Sequence, residues 1–278
     1  MKKQCDLTPA LLKQLTHTAH QSRRSIVEMF TAANSSHMGC SLSLIDILTI
    51  LYHCFLDVEK IKTFHHDRDI FILSKGHAAG GLYTALAHAG IIPLDLLKNF
   101  YKDGGPLSGH PMRHALPGIE ASTGSLGHGL PLGVGIALAA RHGNSSRHVY
   151  VLVGDGECQE GSVWEAITMA SRYNLNNLTV IVDYNNLQGL DRSDDIMPGT
   201  LAEKFAAFHC HVHEIDGHNF HDIVTALNQR SATIHPQVIV ARTTKGKGIS
   251  FIEDKLEWHY RSFKPDLYAQ ALQELESS

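Results

Sequence analysis

VYVLVGDGECQEGSVWEAITMASRYNLNNLTVIVDYNNLQGLD, residues 149–191, decides the fold. The apolar run Val149 to Val153 breaks at Gly154-Asp155-Gly156, and a segment of helical period follows through Tyr173. A second apolar run, Leu178 to Val182, breaks into Asp183-Tyr184-Asn185-Asn186. The order is strand, glycine turn, helix, strand, polar turn. Two parallel strands joined by a right-handed crossover place Asp155 and Asn185 side by side at the carboxyl edge of a sheet, where open α/β proteins bind ligands. A carboxylate, an amide oxygen and a backbone carbonyl are hard oxygen ligands that suit Mg²⁺, which completes its shell with water and phosphate. Gly154 and Gly156 carry no side chain, so a diphosphate can approach the backbone N–H groups there. Either turn alone would be ordinary loop chemistry. The spacing of the two makes the stretch a candidate Mg²⁺-diphosphate clamp.

Outward from the clamp, the pattern repeats. Asp69 to Leu73 is an apolar strand that breaks at Ser74-Lys75-Gly76-His77 ahead of a small-residue helix, so His77 shares the edge with Asp155. QVIVAR (237–242) makes a last strand, and HCHVHEI (209–215) another. Repeated strand, turn and helix predicts an α/β fold with a doubly wound, mostly parallel sheet flanked by helices, and one domain spanning residues 1–278. Thr8-Pro9 opens a helix running to about Asn34. The polar loop Asn34 to Ser41 then leads into an apolar helix, with His37 in the loop. Gly104 to Gly129 is loop-rich before a helix over Leu130 to Ala140, and a helix is expected near Thr200 to Phe208. His209, His211 and His213 are expected on one strand face, pointing outward rather than binding metal. Lys245-Gly246-Lys247-Gly248 lacks the pattern that precedes a P-loop lysine.

Composition excludes several classes. A chain of 278 residues with 43% hydrophobic content can bury a core, and a net charge of −4 gives no footprint for nucleic acid. No apolar run is read as long enough to cross a membrane, and no signal peptide is apparent, so the cytoplasm is the expected location. Five cysteines without CxxC pairing fit a reduced compartment. Most of the twenty histidines belong at the surface; those in a ligand-facing turn carry chemistry.

SSHMGCSLS (35–43), LSKGHA (73–78), GHP (109–111), STGSLGHG (122–129), GDGECQEG (154–161), DYNN (183–186), TTKGKG (243–248) and EWHYRS (257–262) occur in order. Together they resemble the N-terminal, thiamine diphosphate-binding half of transketolase, in the split form where that half is a separate subunit. The resemblance covers nearly the whole chain, and Glu165 inside the helix also looks like the family. It implies that Asp155, Asn185 and the Leu187 carbonyl bind Mg²⁺, or Ca²⁺ or Mn²⁺ in its place. It implies cofactor contacts at His77, Gly124, Ser125, Leu126, Gly154, Asp155, Gly156, Glu157 and Asn185. His37, His110 and His259 would face the reacting sugar. Two positions depart from the common pattern: His128 stands where the family often has Gln, and Met38-Gly39-Cys40 replaces a Pro-Gly or Ile-Gly-Gly type sequence.

The implied reaction moves a two-carbon ketol unit from a ketose, or ketose phosphate, to an aldose or aldose phosphate. Thiamine diphosphate acts as electron sink, and imidazoles suit the proton steps. The glutamate that activates the cofactor in these enzymes lies on a second, pyrimidine-binding domain. The sequence stops at Ser278, one helix after EWHYRS. A C-terminal transketolase subunit of comparable size is therefore the expected partner, in a heterotetramer with two copies of each chain. Other readings are a deoxyxylulose phosphate synthase, a 2-oxoacid dehydrogenase α subunit, or a non-catalytic cofactor-binding subunit. A dinucleotide-binding Rossmann domain is a further class, but no G-x-G-x-x-G stands in the right context.

Overall fold

The computed structural model describes residues 4–230, 232–261 and 265–276; Ser262, the last residue of EWHYRS, lies outside them. The strands are β1 (Ile70–Leu73), β2 (Val149–Gly154), β3 (Leu178–Tyr184), β4 (His211–Asp216) and β5 (Gln237–Arg242). They form one parallel sheet in the order β1-β2-β3-β5-β4, with Gly154 of β2 in register with Asp183 of β3. The helices are α1 (Pro9–Ala33), α2 (Met38–Leu42), α3 (Ile45–Ile50), α4 (Val58–Lys62), α5 (Ala79–His88), α6 (Gly129–His142), α7 (Gly161–Arg172), α8 (Ser193–Ile196), α9 (Leu201–Ala207), α10 (Phe220–Asn228) and α11 (Pro265–Glu276).

The residues of β1, β2, β3 and β5 are largely apolar on both faces, whereas the edge strand β4 is polar and half-exposed, and alternation along each strand decides which layer each residue joins. Ile70, Ile72, Val149, Val151, Val153, Leu178, Val180 and Val182 pack with residues of α6, α7 and α9. Phe71, Leu73, Tyr150, Leu152, Ile181 and Ile239 pack on the other face with α1, α2, α3, α5 and α10. Helices on both faces of a parallel sheet make the doubly wound architecture expected from the sequence. The Thr8 hydroxyl accepts the Leu11 N–H at 3.3 Å, the cap predicted for α1, and the Asn219 amide oxygen caps α10 by accepting the N–H groups of His221 and Asp222.

Three local expectations are corrected. The helix after α1 begins at Met38, not after Ser41, because His37 takes the left-handed conformation (φ 70°) and lets the next residue turn at once. His209 stands before β4 in a left-handed turn (φ 61°), so only His211 and His213 share its face, with rings 4.4 Å apart. The helical stretch Met38–Phe55, interrupted by a short π turn at Leu51–Phe55, does have the length and mean hydropathy (1.5) of a membrane-crossing segment. Being 94% buried inside the fold, it is a core segment. Asp46, His53 and the intervening serines and threonine broke its apolar run in the sequence.

Helix α6 lies close to the sheet through glycines, Gly129 against Ser74 and Gly133 against β2. A Cβ at Gly133 would stand 2.4 Å from Val151 Cγ2, a stiff, fully buried side chain, whereas a Cβ at Gly135, exposed two residues on, meets nothing within 4 Å. Gly133→Ala should therefore lower stability by about 1–3 kcal/mol through overpacking, while Gly135→Ala should raise it by about 0.5–1 kcal/mol through helix propensity. Thermal unfolding of the two variants tests this, and a Tm that rises for both would contradict the packing described.

Candidate active site at the carboxyl edge of the sheet

The cleft at the carboxyl ends of β1, β2 and β3 is assembled by chain breaks. β1 and β2 are apolar and β3 nearly so, and each then turns through polar residues, so these turns converge with the loops that carry His37, Gly124, Lys245 and His259. A cavity of about 400 Å³ results, walled by His37, His77, Gly124, Leu126, Gly154, Asp155, Gly156, Glu157, Asn185, Leu187 and His259. Eleven of the thirteen residues assigned from sequence meet there. His110 sits at the rim, exposed, with its ring against the Gly124 backbone: a Cβ there would lie 2.8 Å from His110 Cδ2, and Gly124 has φ +150°. Ser125 does not face the cleft; it is exposed and lines a neighbouring hollow with His128. Glu165 is exposed on α7.

The cleft also contains residues that the sequence reading passed over: Cys40, Lys75, Gln159, Gln188, Lys245 and Tyr260. Lys75 Nζ donates to Asp183 in a fully buried ion pair. Asp183 Oδ2 also accepts the Ser43 hydroxyl at 2.7 Å, and Oδ1 accepts the Thr243 hydroxyl. Burial opposes the charge of Asp183, but Lys75 and the hydroxyl donors outweigh it and hold the carboxyl below its usual range. Lys245, 1% exposed, donates to the Leu187 carbonyl at 2.5 Å and to His259 Nδ1 at 2.7 Å. Both acceptors are neutral, and none of the ion pairs formed by the described residues involves Lys245. LSKGHA and TTKGKG had placed both lysines in motifs. The absence of a P-loop pattern said nothing about a lysine reaching the site from the other side of the sheet.

The cleft fits a diphosphate and a divalent cation, though not in every detail expected. Asp155 Oδ2 accepts the Ser193 hydroxyl at 2.9 Å, Oδ1 accepts the Gly156 N–H at 2.9 Å, and burial with the nearby Asp183 pushes its pKa up to about 6. Such a carboxylate lacks a compensating cation. Asn185, 6% exposed, and the Leu187 carbonyl complete a set of hard oxygen donors on the same wall. The backbone donors are a different matter. The Gly154 N–H is held by Glu157 Oε2 at 3.0 Å and the Gly156 N–H by Asp155, so neither glycine offers a free N–H; their contribution is open space. Glu157 ties loops together, accepting the Ser74 hydroxyl and the Gly127 N–H as well. Positive charge for an anion comes instead from Lys245.

The imidazoles cluster around Cys40. His37 and His77 ring centroids are 5.2 Å apart, and those of His37 and His259 are 5.7 Å apart. His37 Nδ1 is buried with no hydrogen-bond partner among the described residues. Burial would raise the Cys40 thiol, but the Lys245 ammonium and the His77 and His37 rings outweigh it and hold the thiol well below its usual value. Burial, aided by Lys245, pushes His259 down to about 4. It is therefore neutral at physiological pH, and because Nδ1 accepts from Lys245 its proton rests on Nε2.

Known proteins share this sequence pattern and fold. Residues 16–275 match the family described as the transketolase, thiamine diphosphate binding domain. The chain belongs to the transketolase family. It is 45% identical over 267 residues to an apulose-4-phosphate transketolase subunit of Actinobacillus succinogenes, covering 95% of this chain and 96% of that protein. To a 6-deoxy-6-sulfo-D-fructose transketolase subunit of Clostridium sp. it is 37% identical over 264 residues, covering 94% and 96%. The human transketolase is 36% identical over 269 residues, 96% of this chain but 42% of that protein. Among solved structures, the Campylobacter jejuni transketolase superposes with a TM-score of 0.86 at 31% identity, covering 94% of this chain and 42% of that one. The chain thus spans less than half the length of the single-chain transketolases and nearly all of the subunit-type ones.

Two measurements probe this transketolase cleft. Lys75→Met strands the Asp183 charge and should cost about 3–5 kcal/mol in urea unfolding, most of it recovered in the double variant Lys75→Met/Asp183→Asn. The second is pH dependence. His259 binds its proton near pH 4 when folded and near 6.5 when unfolded, so the unfolded chain holds more protons between these values. Stability from this group is complete above about 6.5 and is lost as pH falls toward about 4. Asp155, raised from 3.8 to about 6, acts with the opposite sign, so the difference between wild type and His259→Gln isolates the histidine. That difference should shrink steadily between pH 6.5 and 4; a flat one would refute the assignment.

Proposed function

We propose that the chain is the diphosphate-binding subunit of a two-subunit transketolase, transferring a two-carbon ketol unit from a ketose to an aldose. The observation that carries the reading is the Lys245 ammonium, buried in the cleft against neutral acceptors beside an Asp155 short of positive charge. A Mg²⁺-diphosphate answers both needs at once: the cation to Asp155, Asn185 and the Leu187 carbonyl, the anion to Lys245 and His77. Leu187 O keeps a lone pair for the metal while Lys245 uses the other.

When bound, thiamine diphosphate supplies the nucleophilic carbon and the electron sink. The chain's own residues orient and move protons. His259 presents a fixed Nε2–H, a hydrogen-bond donor toward a substrate oxygen. His37 lines the same space and is the imidazole placed to take or return a hydroxyl proton, and His110 stands at the entrance. These walls belong to one side only. The related apulose-4-phosphate protein is itself named a transketolase subunit, and it matches over nearly its whole length, which supports a separate partner carrying the pyrimidine-binding domain and the activating glutamate. Two copies of each chain are the assembly proposed. The names of the two subunit-type relatives specify a phosphate and a sulfo group on the sugar. A ketose with an anionic end away from the transferred carbons is accordingly the proposed donor class.

Calorimetry with thiamine diphosphate and Mg²⁺ on the assembled enzyme should show affinity lost in Asp155→Ala and retained in His259→Ala, while donor cleavage slows in the latter. The chain alone should give no ketol transfer until a separately purified subunit with the pyrimidine-binding domain is added. Full transfer activity from the isolated chain would defeat the two-subunit reading, and unchanged affinity in Asp155→Ala would defeat the clamp.

A further inference from the structure

The segment that carries Lys245 separates the cofactor cleft from a second hollow of about 430 Å³, open to solvent and bordered by Arg23, Asp46, His218 and Lys247. At its base Asp46, 5% exposed, accepts Arg23 Nη2 at 2.5 Å and His218 Nδ1 at 2.7 Å through the same oxygen. Burial works against that carboxylate, but Arg23 and His218 together hold it ionised. Because Nδ1 donates to Asp46, Nε2 of His218 is left as an acceptor, and it takes the Thr244 N–H at 2.8 Å. Arg23 Nε donates to the Lys247 carbonyl at 3.2 Å. One ion-paired unit therefore grips the backbone one residue before Lys245 and two residues after it. None of its three members lines the cofactor cleft.

We propose that His218, backed by Asp46 and Arg23, is a positioning residue for Lys245. It sets the height of the loop so that the ammonium reaches the Leu187 carbonyl and His259 Nδ1. It thereby fixes the His259 proton on Nε2 and the strength with which the cleft holds a diphosphate. The second consequence rests on the function proposed above; the first does not.

A merely structural tie would lower stability without acting through Lys245, so a double-mutant cycle separates the two. In the full unliganded chain, ¹⁵N–¹H correlation of imidazole nitrogens, assigned by loss of signals in His259→Gln, reports the His259 tautomer. Wild type should show Nε2–H alone. His218→Ala and Lys245→Met should each admit the Nδ1–H form to the same extent, the double variant should add nothing, and His218→Gln, which keeps an acceptor for Thr244, should restore most of the wild-type state. Thiamine diphosphate with Mg²⁺ should bind about 10- to 100-fold more weakly to the His218→Ala enzyme assembled with its partner, with no further loss in the double variant. An unchanged tautomer in His218→Ala, or additive effects, overturns the proposal. If the tautomer shifts as described while the wild-type enzyme binds no diphosphate, the positioning role stands and the functional reading falls.

Discussion

A single buried carboxylate, Asp183, is the constraint on which the site depends. It stands one residue before the end of β3, is inaccessible to solvent, and is neutralised by Lys75 from the turn after β1. Ser43, from the turn after α2, and Thr243, from the turn after β5, donate to the same carboxylate, and Asn185 Nδ2 approaches it at 3.4 Å. Loops from four places in the chain are thus tied to one charge. A buried ion pair adds little net stability by itself, since desolvation cancels much of the attraction, but it forbids arrangements that leave either charge unpaired. That specificity is what a cleft built from irregular loops requires. Burial raises the pKa of the neighbouring Asp155, and repulsion from the charge that organises the loops adds to it.

The same economy runs through the second lysine. Lys75 is compensated within the chain and belongs to the architecture. Lys245 donates to two neutral acceptors and joins no carboxylate among the described residues, and its charge bears instead on the Cys40 thiol. Two buried lysines lining one cleft therefore do different things, and the difference lies in what each side chain meets.

Much of the fold was legible because four of the five strands advertise themselves by an apolar run that stops abruptly, and period-2 burial then needs no further information. The ligand edge was legible for the same reason: Gly154-Asp155-Gly156, Asn185 and His77 all follow such breaks. The lysine pair was not, because Lys75 and Asp183 are 108 residues apart and their meeting depends on sheet order, which β5 alters by inserting between β3 and β4. The occupied glycine N–H groups were hidden for a local reason. Glu157 folds back on its own turn, and no composition signal distinguishes a carboxylate that does so from one that faces a ligand. Met38–Phe55 shows the reverse error, where scattered polar residues disguised a stretch that packs as apolar.

That stretch has a consequence for how the chain comes into being. Its helix α3 is covered by α1, α5 and α10, and α10 is encoded some way downstream. At ribosomal speeds of about 5–20 residues per second, roughly 10 to 30 s pass between the emergence of Phe55 and that of α10. For that interval the nascent polypeptide displays a helix as oily as a membrane anchor, and only the earlier helices can shield it. Productive biogenesis of this chain is thus a race between synthesis and sticking, decided largely by residues remote from the cleft.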